Sequence, residues 1–159
     1  MSTRRASVYA ATAAVVGTAA FLSGRAVNTG TAWYRTLAKP PWQPPPWTFG
    51  AVWTPLYAGI AWSAGHVALH TRGRDRRELL AAYAVNLATN AAWSWLFFGR
   101  RLVVAGLAGT LALDASNADL LRRTARSDPA AARALVPYAA WCVFATALNG
   151  SIAARNRRR

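Results

Sequence analysis

The chain has 159 residues, and 54% of them are apolar, although its 19 Lys and Arg residues against five Asp and Glu give a formal net charge of +14. This length is enough for one ordinary domain. The charged residues stand in short clusters between long uncharged runs, which excludes a typical soluble domain with charge spread over its whole surface.

The first uncharged run predicts a membrane-spanning helix over residues 6–24. Arg4 and Arg5 precede it, which is also the pattern of a secretory signal peptide. We interpret the run as a retained helix, because its 19 residues exceed the apolar region of about 7–15 residues that signal peptides use.

Residues 25–46 form the only long predicted connection, and we call them the lid segment. Five prolines, at positions 40, 41, 44, 45 and 46, fix φ and remove backbone donors. Trp33, Tyr34 and Trp42 occur in the same segment. We predict a stiff, largely extended segment that lies over the helix ends as a lid. An aromatic belt at the membrane surface is the simpler alternative.

Four more segments complete the predicted bundle, at residues 47–70, 79–98, 102–121 and 134–154. A helix of about 20 predominantly apolar residues crosses the bilayer core, and its backbone groups bond internally. We therefore predict an all-α fold, an integral membrane bundle of five transmembrane helices forming one domain over residues 1–159. Cys142 lies in the middle of the last helix, where we expect it to pack among apolar side chains.

The segment 102–121 contains two acids, Asp114 and Asp119. An acid at membrane depth is a functional-site hypothesis by default, and Asp114 could line a wet cavity. We favour the alternative in which the helix ends early and both acids lie near the headgroups beside Arg122 and Arg123.

Two histidines, His66 and His70, are four residues apart and share a helix face. A pair of metal or haem ligands is one interpretation. Zinc sites use three or four ligands, however, and the sequence offers no obvious cysteine or carboxylate partner. We therefore expect no metal site and place the pair at the membrane interface.

Clusters of arginine flank the predicted helix ends, as at residues 72–77 and 155–159. This pattern is typical of anchoring at anionic headgroups. No nucleic-acid reading element accompanies the charge, so we expect the lipid bilayer, and not nucleic acid, as its partner. The basic residues divide almost evenly between the two sides of the membrane, and the positive-inside rule therefore assigns no orientation.

Three predicted helix faces mix aromatic side chains with amides, and together they could enclose a pocket for a flat hydrophobic ligand. The members of these faces are Phe49, Trp53, Tyr57 and Ile60, then Asn86, Asn90, Trp93 and Phe97, and finally Pro137, Trp141, Ala145 and Asn149. Periodicity alone favours the alternative of plain helix packing. No catalytic triad, phosphate-binding loop or dinucleotide-binding motif occurs.

A ridge of small residues, Ala84, Ala88 and Ala92, runs along the third predicted helix. Small residues at this spacing let two helices approach closely. The ridge could serve a homodimer or packing inside the bundle, and the sequence leaves both alternatives open.

Three motifs in order resemble the TspO/MBR family, the tryptophan-rich sensory proteins. They are WYRTLAKPPWQPPPWTFGAVWTPLY at 33–57, YAVNLATNAAWSWLFFG at 83–99 and VPYAAWCVFATALN at 136–149. The chain departs from the pattern at Ser94–Trp95, where many relatives carry a proline, and at Gly109, where some carry an acid.

The resemblance implies a five-helix bundle, usually dimeric, with a pocket beneath the first loop. Family members bind porphyrins, and some bacterial members promote light-dependent breakdown of protoporphyrin. Trp53 and Trp141 would be the indoles that react with an excited porphyrin. The matching positions imply a ligand site formed by Tyr34, Pro44, Pro45, Trp53, Asn90, Trp93, Trp141 and Ala145.

These residues and the resemblance together lead us to expect a membrane protein that senses, sequesters or transports porphyrin. The ligand would be protoporphyrin IX or haem, no cofactor would be required, and the protein would be a homodimer in a bacterial cell membrane. One alternative is an enzyme that degrades protoporphyrin with light and oxygen. Another is a membrane scaffold whose pocket is incidental.

Overall fold

A computed structural model of the protein describes residues 3–156, and all the regular secondary structure in that range is helical. Five long helices and one short helix follow each other along the chain. They are α1 Thr3–Ala26, α2 Ala32–Thr36, α3 Pro46–His70, α4 Gly73–Ser94, α5 Val103–Ser127 and α6 Pro129–Arg155. A π-helical turn, Trp95–Gly99, continues α4 before the chain enters α5.

The prediction of an all-helical fold is confirmed, and each long helix coincides with one of the five predicted segments. Two helices are six residues longer than predicted at one end: α4 begins at Gly73, and α5 continues to Ser127. The interpretation that this helix ends early near Asp114 is therefore wrong. Instead, Asp114 stays inside the bundle, where Thr146 of α6 donates a hydrogen bond of 2.6 Å to its Oδ2. Asp119, near the end of α5, does pair with the neighbouring arginines, at 2.6 Å to each.

The lid segment is less extended than predicted, because α2 interrupts it. Thr31 supplies the N-cap of this short helix, accepting from the backbone N–H of Tyr34 at 3.2 Å. A hydroxyl in this position satisfies a donor that the first helical turn leaves free. The prolines that follow end the helix and lead into α3, which begins at Pro46, where a proline has no N–H to lose.

Two helices, α1 and α6, are long and apolar enough to cross a membrane by length and composition. In α3 there is no Asp, Glu, Lys or Arg among its 25 residues. Its tryptophan, proline and histidine residues lower the mean hydropathy of α3 although the helix contains none of these four charged residue types. In α4 and α5, arginines and acids occupy one end of the helix.

Apolar side chains from α3, α4, α5 and α6 meet at the centre of the bundle, and α1 packs on its side through Val16. Ile60, Leu135 and Tyr138 are almost wholly buried there. Cys142 is buried in the same cluster as a free thiol, in agreement with its expected packing role.

A chain of buried polar groups joins α4, α5 and α6 within this apolar centre. The hydroxyl of Tyr138 donates to Asn86 Oδ1 at 2.9 Å and accepts from Asn90 Nδ2 at 3.3 Å. Asn86 Nδ2 in turn donates to Asn117 Oδ1 at 2.8 Å. Because unpaired polar groups are costly in an apolar interior, these bonds fix how the three helices face one another.

The small-residue ridge of α4 lies on the outside of the bundle. Ala84, Ala88 and Ala92 are all exposed, so packing within this chain does not use them. A second pair of small residues, Gly106 and Gly109 of α5, faces inward instead and contacts aromatic side chains of the neighbouring segment.

We expect Tyr138→Phe to lower the stability of the protein by roughly 1–3 kcal/mol, because it leaves the amides of Asn86 and Asn90 buried without their shared partner. Thermal unfolding in detergent, followed by circular dichroism, measures the effect. Tyr9→Phe on the partly exposed side of α1 is the matched control and should change little. Equal melting temperatures for Tyr138→Phe and the unmodified protein would contradict the role given to the polar chain.

Candidate functional site

A cavity of about 460 Å³ opens at the end of the bundle where the lid segment lies. Its volume is in the range of about 300–1,000 Å³ that small-molecule sites occupy. Side chains from α1, the lid segment, α3, α4, the π-helical turn and α6 surround it. The aromatic members are Tyr34, Phe49, Trp53, Tyr57, Trp93, Phe97 and Phe98.

One wall of the cavity is formed by α3. The rings of Trp53 and Tyr57 stack with their centroids 5.2 Å apart, and Tyr138 meets Trp53 edge-on at 6.0 Å. Tyr138 also belongs to the buried polar chain, so the wall is tied to the centre of the bundle. Such aromatic contacts favour one orientation of the indole over others.

A second part of the cavity wall depends on the π-helical turn and on glycine. Trp93 and Phe97 are four residues apart and stack at 6.3 Å. A Cβ atom at Gly106 would lie 2.7 Å from the Phe97 ring, and one at Gly109 would lie 3.4 Å from the Trp93 ring. A side chain at Gly106 would therefore push Phe97 towards the cavity, and only glycine allows α5 to support this wall at its present distance.

Two buried polar atoms at the cavity have no hydrogen-bond partner among the described residues. They are the indole N–H of Trp93 and the amide oxygen of Asn149, whose own Nδ2 donates to Ala145 O at 2.9 Å. Both residues line the cavity. Unsatisfied buried groups are rare, and such a pair provides one donor and one acceptor for a bound molecule.

The lid segment is fastened to the end of α6 by the side chain of Asn156. Its Oδ1 accepts from the backbone N–H of Ala38 at 3.1 Å, and its Nδ2 donates to the carbonyl of Ala38 at 3.0 Å. The amide thus pairs with the lid backbone as a neighbouring strand would. These two bonds span 118 positions of sequence and hold the lid above the cavity.

Lys39 stabilises the lid segment through contacts with other residues of the same segment. Its ammonium donates to the carbonyls of Tyr34 and Leu37 and stands 4.5 Å from the centre of the Tyr34 ring. Burial lowers the pKa of Lys39 from its ordinary value. A cation at the carboxyl end of the short helix α2 also interacts favourably with the helix dipole.

Tyr34 is the aromatic side chain of the lid segment that lines the cavity. It is buried, and its phenol oxygen accepts a hydrogen bond of 3.1 Å from Gln43 Nε2. Burial raises the pKa of Tyr34, and the bond from Gln43 offsets part of that rise. The phenol therefore stays neutral at physiological pH and keeps a proton to donate.

Five of the eight residues that the sequence suggested for the ligand site line the cavity: Tyr34, Trp53, Asn90, Trp93 and Ala145. Trp141, Pro44 and Pro45 do not line it. Trp141 lies behind Phe49, with ring centroids 6.0 Å apart, and also contacts Phe144. Of the lid prolines, Pro46 at the start of α3 is the one at the cavity wall.

The contribution of α1 was missed by sequence analysis. Ala20, Ser23 and Gly24 of α1 line the cavity from this side, as does Val27 just after the helix. Leu22 accepts through its carbonyl a 3.2 Å bond from the Trp95 indole. The signal was weak, because the α1 residues that line the cavity are small and belong to none of the motifs. Thr54, Ser94 and Leu148 were also missed.

The fold and the cavity define a class of helical membrane protein whose aromatic pocket lies under a proline-rich loop. The TspO/MBR family profile matches residues 10–155. The chain therefore belongs to the TspO/MBR family, a family of membrane proteins.

Several relatives are similar over most of their length. The translocator protein of Homo sapiens is 36% identical over 132 residues, covering 81% of this chain and 78% of its own. The tryptophan-rich sensory protein of Cereibacter sphaeroides is 36% identical over 118 residues, covering 74% and 72%. The tryptophan-rich protein TspO of Archaeoglobus fulgidus is 36% identical over 138 residues, covering 83% of each chain.

We expect Asn156→Ala to loosen the lid, because it removes both bonds to the backbone of Ala38. At about 0.5–1.5 kcal/mol for each bond, hydrogen–deuterium exchange of the Ala38 amide should become roughly tenfold faster. Asn28→Ala is the control, since the Asn28 side chain lies in the same segment but accepts only from the nearby backbone N–H of Gly30. Unchanged exchange at Ala38 in Asn156→Ala would show that other contacts hold the lid.

Proposed function

We propose that the chain is an integral membrane protein with five membrane-crossing helices that binds a porphyrin in the cavity beneath the lid. The observation that carries this proposal is the combination of aromatic walls with the two unpaired polar atoms of Trp93 and Asn149. Membership of the TspO/MBR family supports a membrane role related to tetrapyrroles.

The outer surface of the bundle supports five crossings. Every long helix presents large apolar side chains outward, among them Phe21, Trp62, Val85, Leu111 and Val143. Exposed apolar side chains on every long helix suit contact with lipid tails. At 1.5 Å per residue, α3 is about 37 Å long, which exceeds the roughly 30 Å hydrocarbon core.

The chemistry of the cavity suits a flat, largely apolar ligand with polar groups at its rim. Two stacked aromatic pairs in the cavity wall, Trp53 with Tyr57 and Trp93 with Phe97, offer π faces to a macrocycle. The Trp93 N–H can donate to a peripheral carboxylate, and Asn149 Oδ1 can accept from an N–H or O–H. Sensing, sequestration and transport all require this binding step.

The exposed ridge Ala84, Ala88 and Ala92 supports a homodimer as the state in the membrane. Small residues allow close approach of two helices in lipid, where no hydrophobic force draws them together. The cavity lies within one chain, so porphyrin binding by this proposal does not depend on the dimer.

We expect protoporphyrin, titrated in the dark into the detergent-purified protein, to quench tryptophan fluorescence saturably. The Kd should be in the micromolar range, which corresponds to a binding free energy of about −8 kcal/mol. Trp53→Ala should weaken binding about tenfold or more, because contact with the indole contributes about 1.5–3 kcal/mol of binding free energy that alanine does not provide. Trp62→Ala is the control on the same helix, since Trp62 is exposed and lies outside the cavity.

Either of two results would contradict the proposal. Non-saturable quenching would mean that the porphyrin only partitions into the micelle. Equal loss of affinity in Trp53→Ala and Trp62→Ala would mean that the ligand lies on the outer surface, and the chain would then be better described as a scaffold with an incidental pocket.

Light-dependent degradation of the bound porphyrin is a second candidate function, favoured by the position of Trp53. Its indole stands at the cavity wall in contact with two tyrosines, Tyr57 at the same wall and Tyr138 outside the cavity. An excited porphyrin can take an electron from an adjacent indole, and the neighbouring phenols can share the resulting electron deficiency. Trp141 is one ring further away, behind Phe49.

We expect Trp53→Phe to keep porphyrin binding but to slow its loss under illumination in aerated buffer, because a phenyl ring is a poorer electron donor than an indole. Absorbance of the porphyrin over time measures the rate. Trp141→Phe should slow the reaction less. If neither substitution changes the rate, the loss is photobleaching that does not involve the protein.

A further inference from the structure

The far end of α3, away from the cavity, carries both histidines of the chain. His66 lies 13 residues beyond Trp53, or roughly 20 Å along the helix axis. The corner between α5 and α6 meets α3 here, and it places Asp128 against His66. The expectation that no carboxylate accompanies the histidine pair is therefore wrong.

The three side chains form a compact cluster. His66 Nδ1 lies 2.6 Å from Asp128 Oδ2, and His70 Nδ1 lies 2.8 Å from the backbone carbonyl of His66. The two imidazole rings stack with centroids 3.9 Å apart. Each of the three residues brings a possible metal-ligand atom to within 4.8 Å of the others.

These hydrogen bonds determine which ring nitrogen is available. A carboxylate and a carbonyl can only accept, so Nδ1 of each histidine carries the proton. In the neutral ring the lone pair is then on Nε2. A histidine that binds a metal through one nitrogen typically donates the other N–H to a carboxylate or a backbone carbonyl, and both histidines here already make that bond.

The burial of Asp128 and the exposure of His70 also suit the binding of a metal ion. Asp128 is buried, its other oxygen accepts from the backbone N–H of Ala131 at 3.0 Å, and its negative charge can balance that of a cation. His66 is partly buried, and His70 is exposed at the surface. An ion can therefore enter from the His70 side. Because the lone pairs of stacked rings do not converge, the exposed His70 ring must turn to bind it. Its Nδ1–H then bonds to solvent instead of the His66 carbonyl, while His66 keeps its bond to Asp128.

We propose that the end of α3 binds a divalent first-row transition metal ion, of which Zn²⁺ is the probe, through Nε2 of His66 and Nε2 of His70. Asp128 orients His66 and compensates charge, and water completes the coordination. Imidazole suits zinc, copper and nickel, and an open site with few protein ligands is compatible with solvent as the remaining ligand. The site is independent of the porphyrin cavity.

The experiment is a calorimetric titration of the full-length protein in detergent with ZnCl₂, repeated with CoCl₂ to follow the visible absorption of bound cobalt. The affinity tag must be absent or free of histidine, because the chain itself has only two. We expect one ion per chain, and we expect zinc to raise the Tm.

Three variants test the assignment, and one serves as control. His70→Ala changes an exposed side chain and should lose binding, as should His66→Ala. Asp128→Asn keeps an N-cap for α6, since asparagine caps as well as aspartate, and should weaken binding about 10–100-fold. Asp75→Asn removes an exposed carboxylate at the start of α4 and should change nothing.

The proposal is overturned if the doubly substituted protein, His66→Ala with His70→Ala, binds zinc as tightly as the unmodified chain, or if zinc leaves the Tm of the unmodified chain unchanged. It is also overturned if Asp75→Asn weakens binding as much as Asp128→Asn, because the ion would then be held by general surface charge. His70→Ala that folds with the ordinary Tm but no longer responds to zinc supports it.

Discussion

The arrangement of the bundle depends on the hydrogen bonds made by the hydroxyl of Tyr138. This hydroxyl joins two amides of α4 across the interface with α6, and one of those amides reaches α5. Hydrogen bonds are directional, whereas apolar packing between smooth helices is not, so this chain of bonds sets the rotation of each helix about its axis. The ring of the same tyrosine supports Trp53 at the cavity.

The cavity depends on a departure from regular helix geometry and on a glycine contact at one end of this framework. The π-helical turn Trp95–Gly99 places Phe97 and Phe98 beside Trp93. Gly106 lets α5 approach Phe97 without a clash. π-helical turns cost hydrogen-bond quality and are frequent at functional sites, which agrees with the position of this one.

The two ends of the bundle are built in different ways. At the cavity end, the amide of Asn156 and the ammonium of Lys39 hold a proline-rich segment over apolar walls. At the other end, His66 and Asp128 join α3 to the start of α6. Since α3 and α6 run the full distance between the two ends, the cavity and the histidine cluster share the same pair of helices.

The sequence by itself determined the helical class, the five long helices and the family, because uncharged runs of about 20 residues and three ordered motifs are local properties of the chain. Through its resemblance to the family it also indicated Tyr34, Trp53, Asn90, Trp93 and Ala145, and all of these except Tyr34 lie on helix faces that periodicity makes visible. Only the tertiary structure decided that Trp141 lies behind Phe49 and that α1 completes the wall. It alone brought Asp128 to His66, 62 positions away, because a helix face predicts which residues lie together but not which other helix they meet.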